Sequence, residues 1–124
     1  MKVNKNSSQQ MHHLPGLAHQ TLAGEKDGLG QFEVWRQTID AHAATPVHRH
    51  DCEEVIMCST GKGVCKFEDK EVFFGADETL LIPANVVHQI CNAGDEDLNI
   101  VATLAMAPVE VFDEHNQPMP LPWG

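Results

Sequence analysis

Thr45-Pro46-Val47-His48-Arg49-His50-Asp51-Cys52-Glu53-Glu54, closed by Gly61 after six further residues, is the stretch that decides the fold. Side chains alternate faces along a strand, so His48 and His50 point the same way, and Glu54 shares their parity if no bulge intervenes. A fourth donor ends the distant run Pro83-Ala84-Asn85-Val86-Val87-His88. Three imidazoles and one carboxylate suit one divalent transition metal per chain: iron, manganese, nickel, cobalt, copper or zinc. Affinity alone does not choose among them. An H-x-H pair is weak evidence in a chain with 8 histidines. The spacing of the whole set carries the reading.

On both sides of this stretch the sequence reads as short strands. Phe32 to Ile39 is rich in β-formers, and Glu54 to Cys58 is a second run. Thr60-Gly61-Lys62-Gly63 predicts a hairpin turn into Val64 to Phe67. Val72 to Phe74, Thr79 to Ile82, Val86 to Cys91, Leu98 to Leu104 and Val109 to Phe112 follow, separated by turn residues. Leu14 to Asp27 is short and mixed, broken by Pro15, Gly16 and Gly24. No segment sustains a helical period, so the fold class is all-β, a sandwich or barrel.

The two histidine-bearing segments resemble the motifs of the cupin superfamily. The first motif, G-x5-H-x-H-x3,4-E-x6-G, is met by His48, His50, Glu54 and Gly61; the second, G-x5-P-x-G-x2-H-x3-N, by Pro83, His88 and Asn92. The resemblance spans Phe32 to Thr103. It implies a small jelly-roll barrel (a double-stranded β-helix) with the metal inside. Residues 1–30 then form an arm and lead-in, 31–112 the barrel, and 113–124 a Pro-rich tail. Three glycines of the motifs are replaced, by His42, Asp77 and Asn85. Asp and Asn tolerate left-handed backbone better than other non-glycine residues, so both of those corners are expected to survive.

Ile56 and Ile90 follow ligands on the same face and are candidates for an apolar pocket lining, with Cys58 beside them. Cys58 and Cys65 lie opposite one another in one hairpin register, as buried hydrophobes or as thiols near the metal. Cys52 and Cys91 have no suggestive partner. Trp35 reads as core, and Arg49 as an outward surface charge. His12, His13, His19, His42 and His115 read as solvated. Asp51 and Glu53 could accept hydrogen bonds from the ligand imidazoles or be solvated loop charges.

A net charge of −10, from 18 acidic and 8 basic side chains, argues against nucleic acid and anionic membranes. The first residues lack an apolar leader and no apolar run is long enough to span a bilayer, so a cytoplasmic location with reduced cysteines is expected. No serine elbow, phosphate-cradling loop or dinucleotide fingerprint is present.

Similarity to metal-binding cupins implies a metal-dependent enzyme acting on a small organic molecule, with a dioxygenase as the leading class and a decarboxylase or isomerase behind it. The chain has no tyrosine, which excludes a cupin mechanism built on a tyrosine acid. Two alternatives stand beside it. One is a metal-dependent small-ligand binding or sensing module without turnover; the other is a metal that only braces the fold. A homodimer is expected from the arm, the tail and the free strand edges of a small barrel.

Overall fold

The computed structural model describes all 124 residues. Nine strands, β1 (His12–Leu14), β2 (Leu17–Ala23), β3 (Glu33–Ile39), β4 (Glu54–Thr60), β5 (Lys62–Phe67), β6 (Lys70–Gly75), β7 (Glu78–Ile82), β8 (Gln89–Asn92) and β9 (Leu98–Leu104), make two sheets. A six-stranded sheet has the order β1-β2-β3-β9-β4-β7, and a three-stranded sheet the order β6-β5-β8, with antiparallel pairing throughout. This is the jelly-roll barrel expected from the sequence. The only helical elements are two 3-10 turns, Asn6–Ser8 and Glu25–Asp27. No helix is long and apolar enough to cross a membrane.

Period-two alternation builds the interior. β3 buries Glu33, Trp35, Gln37 and Ile39, while β9 buries Leu98, Ile100, Ala102 and Leu104. β4 buries Glu54, Ile56 and Cys58. The register pairs these sets directly: Ile56 with Ala102 and Leu80, and Ile39 with Leu98. Ligand-bearing positions therefore share an inner wall with the apolar core.

Several expectations are corrected. The barrel begins before residue 31: Leu17–Ala23 is a full strand hydrogen-bonded to β3, and His12–Leu14 adds an edge to it. Alanine, histidine and glutamine are poor β-formers and concealed the inward set Leu17 and His19. Thr60–Gly63 does not close a hairpin. β4 pairs with β7 and β9 and β5 with β6 and β8, so the chain crosses there from one sheet to the other. Turn residues mark a corner but do not say whether the chain returns. Cys58 and Cys65 are consequently not strand neighbours. Val109–Phe112 is not a strand either; only Phe112 pairs, with Arg49 and Pro118.

The corner residues explain how the motifs tolerate their departures. His42, Asp77 and Asn85, which replace the three glycines, all take left-handed backbone, at φ 64°, 67° and 68°. Gly61 keeps φ 97°, and a Cβ there would lie 2.6 Å from the Asp97 carbonyl oxygen. Asn92 is buried and its amide donates to the carbonyls of Ile39 and Glu96 at 2.9 and 2.7 Å, tying the two sheets together.

Candidate metal centre and ligand cavity

His48, His50 and Glu54 do not sit on one continuous strand. His48 and Arg49 lie in bridged extended chain, a bend at Asp51 and Cys52 follows, and Glu54 opens β4. The donors converge nonetheless. Those of His48, Glu54 and His88 lie within 4.8 Å of one another. His50 stands at the flank of this trio, its Nε2 3.8 Å from Glu54 Oε1.

Backbone carbonyls orient each imidazole. His48 Nδ1 meets the Pro46 carbonyl at 2.6 Å, His88 Nδ1 that of Val86 at 2.8 Å, and His50 Nδ1 that of Glu110 at 3.0 Å. With Nδ1–H donating outward, every Nε2 presents a lone pair toward Glu54. Asp51 pairs with Arg49 instead of any ligand histidine. These orienting carbonyls leave no mark in the sequence, because a carbonyl has no residue type to betray it.

Two buried atoms in this cluster have no hydrogen-bond partner: Glu54 Oε1 and His88 Nε2, 3.6 Å apart. Both are acceptors once His88 Nδ1–H is spent on Val86. Two facing buried acceptors are costly and need a cation between them. The residues present therefore fit a metal, and the donor chemistry is that of a transition ion.

The protonation states agree. Burial, followed by the neighbouring His88 and His50, pushes His48 down to about 4. Burial also lowers His50, against the pull of Glu54. Burial pushes the Glu54 carboxyl up, but the surrounding histidines, His88 first, pull it down further, and it ends below its usual value. At neutral pH His48 and His50 are neutral and Glu54 is ionised, as ligands must be.

The donors form one wall of a cavity of about 120 Å³. Ile56, Ile90, Ile100 and Trp35 supply apolar walls from the barrel, and Met119, Pro120, Leu121 and Trp123 close it from the C-terminal segment. Ile56 and Ile90 thus stand at the cavity. Cys58 does not: its thiol faces the Thr60 carbonyl at 3.4 Å, on the far side of the sheet corner. Burial pushes Cys52 and Cys65 up to about 11 and raises Cys58, so these thiols stay protonated and buried.

Arg49 stays outside the cavity, as expected of an outward charge, and makes structural contacts there, whereas His19, expected to be solvated, is buried. Arg49 stands over the Phe112 ring at 4.5 Å and donates to Asn85 and Asn116, fastening the C-terminal segment to the ligand loop. His19 is fully buried and stacked on Trp123, with ring centroids 3.6 Å apart. By contrast His13 and His115 are exposed, and His42 pairs with Asp95 at the surface.

Among solved structures, the fold is shared with the polyketide cyclase RemF from Streptomyces resistomycificus, at a TM-score of 0.75 and 19% identity over 88% of this chain and 83% of that one. It is shared equally with KdgF from a Halomonas species, at 0.72 and 13% over 87% and 96%. An oxalate decarboxylase from Lactobacillus farciminis gives 0.76 and 18% over 87% and 34%. Sequence relatives are nearer. Auxin-binding protein 1 of Arabidopsis thaliana is 37% identical over 108 residues, 79% of this chain and 54% of that protein. Auxin-binding protein T85 of Nicotiana tabacum is 35% identical over 117 residues, 85% and 63%. The chain thus spans little more than half the length of these relatives. The auxin binding protein family matches residues 2–122, nearly the whole sequence. With the fold, the paired motifs and this match in agreement, the chain has a cupin fold and belongs to the auxin-binding protein family.

Proposed function

We propose that this protein binds a small, mostly apolar molecule bearing a carboxylate, by way of a divalent metal held by His48, His50, Glu54 and His88. One observation carries the reading: a single cavity joins the metal-ligating cluster to apolar walls, including both tryptophans of the chain. A metal bound there supplies positive charge for an anionic group of the ligand. Trp35, Ile56, Ile90 and Leu121 then enclose its apolar part. The relatives named for auxin make aryl acetic acids the ligand class to test, and they favour a binding module over the oxygenase expected from the motifs alone.

The test is titration of metal-loaded protein with indole-3-acetic acid and its amide. Intrinsic fluorescence is the readout, since both tryptophans line the cavity. Saturable binding of the acid, lost with the metal and weaker for the amide, supports the reading. Recovery of the ligand unchanged after aerobic incubation separates binding from turnover. A chain that binds neither compound in the presence of zinc, manganese or iron(II) overturns it.

We infer also that two chains pair through the outer face of β3, β9, β4 and β7. The register aligns Val34, Thr103, Val55 and Leu81 in one outward row, and Arg36, Val101, Met57 and Thr79 in the next. Val55, Met57 and Leu81 are exposed, at 36%, 51% and 72%. In a chain with 18 acidic residues these rows hold none, and their lone Arg36 is bonded to Gln20. A mostly apolar face with no acidic side chain lets two chains of net charge −10 meet there with little local repulsion.

A further inference from the structure

We propose that His19 is a positioning residue that selects, through its tautomer, which end of the Gln37 amide faces the metal cavity. This rests on the ligand-binding reading given above and assigns a role to a residue outside the cavity wall. His19 has no exposed surface and does not line the cavity. It is held flat against Trp123, with planes 10° apart, and edge-on to Trp35 at 4.9 Å. Its two nitrogens are both engaged. Nε2 lies 2.8 Å from the Thr21 hydroxyl and Nδ1 3.0 Å from the Gln37 side-chain amide. Gln37 itself is buried and lines the cavity together with the ligand residues.

Both partners of His19 can reverse their hydrogen-bond polarity, which gives two closed arrangements. In the first, Nε2–H donates to Thr21, Nδ1 accepts from the Gln37 NH2, and Gln37 Oε1 is left for the cavity. In the second, the Thr21 hydroxyl donates to Nε2, Nδ1–H donates to Gln37 Oε1, and the Gln37 NH2 is left for the cavity. Each keeps both bonds to the imidazole. The exchange moves one proton from one ring nitrogen to the other and turns the amide by half a rotation. No charge is created, and burial, followed by the charge of His12, holds His19 down to about 3, so the ring stays neutral in both.

The cavity offers little else that can reverse in this way. The Thr45 hydroxyl already donates to the Pro46 carbonyl and accepts from the Ile90 N–H, Trp35 Nε1–H is spent on Glu33, and the unpartnered Trp123 Nε1–H can donate but not reverse. A ligand carboxylate that gives one oxygen to the metal has a second oxygen in need of a donor. The second arrangement supplies it, and the first would set oxygen against oxygen. A carboxylate ligand therefore draws His19 into the Nδ1–H tautomer, whereas a ligand donor group at the same place draws it into the Nε2–H form.

The experiment uses zinc-loaded full chain with 15N-labelled histidine rings, whose chemical shifts report the tautomer directly. Ligand-free protein is expected to show His19 protonated on Nε2, and saturation with indole-3-acetate to move the proton to Nδ1. Affinities of His19→Phe, Gln37→Leu and the double variant for indole-3-acetate supply the second readout, with zinc content checked in each. Phenylalanine keeps the stack on Trp123 and removes both nitrogens. Each single variant is expected to lose about tenfold or more in affinity, and the double variant no more than either, because both remove one relay. Binding with an unchanged His19 tautomer, or additive losses in the double variant, overturns the inference while leaving the binding reading intact. Absence of binding by the wild-type chain overturns both.

Discussion

His48 and His88 exchange both backbone hydrogen bonds, N–H to O=C at 2.9 Å one way and 2.8 Å the other. Two candidate ligands 40 positions apart in the sequence are thereby locked opposite each other by main chain alone. The metal is not needed to bring them together. What it is needed for is the pair of facing acceptors, Glu54 Oε1 and His88 Nε2.

Replacing Glu54 by Gln should therefore separate stability from binding. The amide can donate to His88 Nε2 and satisfy both buried atoms. Metal-free Glu54→Gln is expected to be about 1 kcal/mol more stable than metal-free wild type. Wild type should gain about 2.7 kcal/mol from zinc at a hundredfold excess over its dissociation constant, and the variant almost none. Urea denaturation with and without zinc measures both differences.

Metal-free protein should lose stability on mild acidification. His48 and His19 have folded values of about 4 and about 3, below their ordinary 6.5. The unfolded chain then binds protons that the folded one refuses, so their contribution is complete above pH 6.5 and falls as pH drops toward 4. Each group can add a slope of up to about 1.4 kcal/mol per pH unit. The lowered Glu54 carboxyl adds to the loss below its ordinary 4.5. Denaturation curves at pH 7, 6 and 5 give the slope, which His19→Phe should flatten. A flat profile in wild type would contradict these assignments.

The left-handed corners make opposite predictions for three substitutions. His42→Gly should stabilise by about 1 kcal/mol, since histidine carries a strained φ of 64° and gains only a surface contact with Asp95. Asn85→Gly should gain nothing, because the same relief removes the hydrogen bond from Arg49. Gly61→Ala should cost more than about 2 kcal/mol, as its Cβ meets the main chain of Asp97 and Leu98. Thermal melts of metal-free protein rank the three.

The outer sheet face predicts a concentration-dependent dimer. Wild type should sediment as a dimer at tens of micromolar, and Met57→Glu with Leu81→Glu as a monomer with an unchanged melting temperature and zinc content. A double variant that remains dimeric, or a wild-type chain that stays monomeric, would place the contact elsewhere or remove it.

The metal cluster was legible because it depends on residue type and spacing: His48, His50, Glu54, Gly61, Pro83 and His88 are named by their own chemistry. The orienting carbonyls of Pro46, Val86 and Glu110 were not, since any residue carries one. His19 escaped notice for a related reason. Its burial depends on Trp123, 104 positions away by residue number, and on a Gln37 whose amide looks like any strand glutamine. The corner at Gly61 departs from the expected hairpin for another reason. A glycine corner fixes the local turn of the chain, while the choice between returning to the same sheet and crossing to the other is made by strands that lie far along the sequence, here β9 and β8.

The closure of the cavity by Met119, Pro120, Leu121 and Trp123 divides the protein's tasks between two stretches of chain. Ion chemistry is written in the barrel, where a change of residue forfeits the metal. The mouth of the cavity is closed by Met119, Pro120, Leu121 and Trp123, on a segment tied to the donor loop through the Glu110 carbonyl and the Arg49–Phe112 contact. Such a partition would let a change in this short terminal segment reshape the cavity without disturbing the donor cluster.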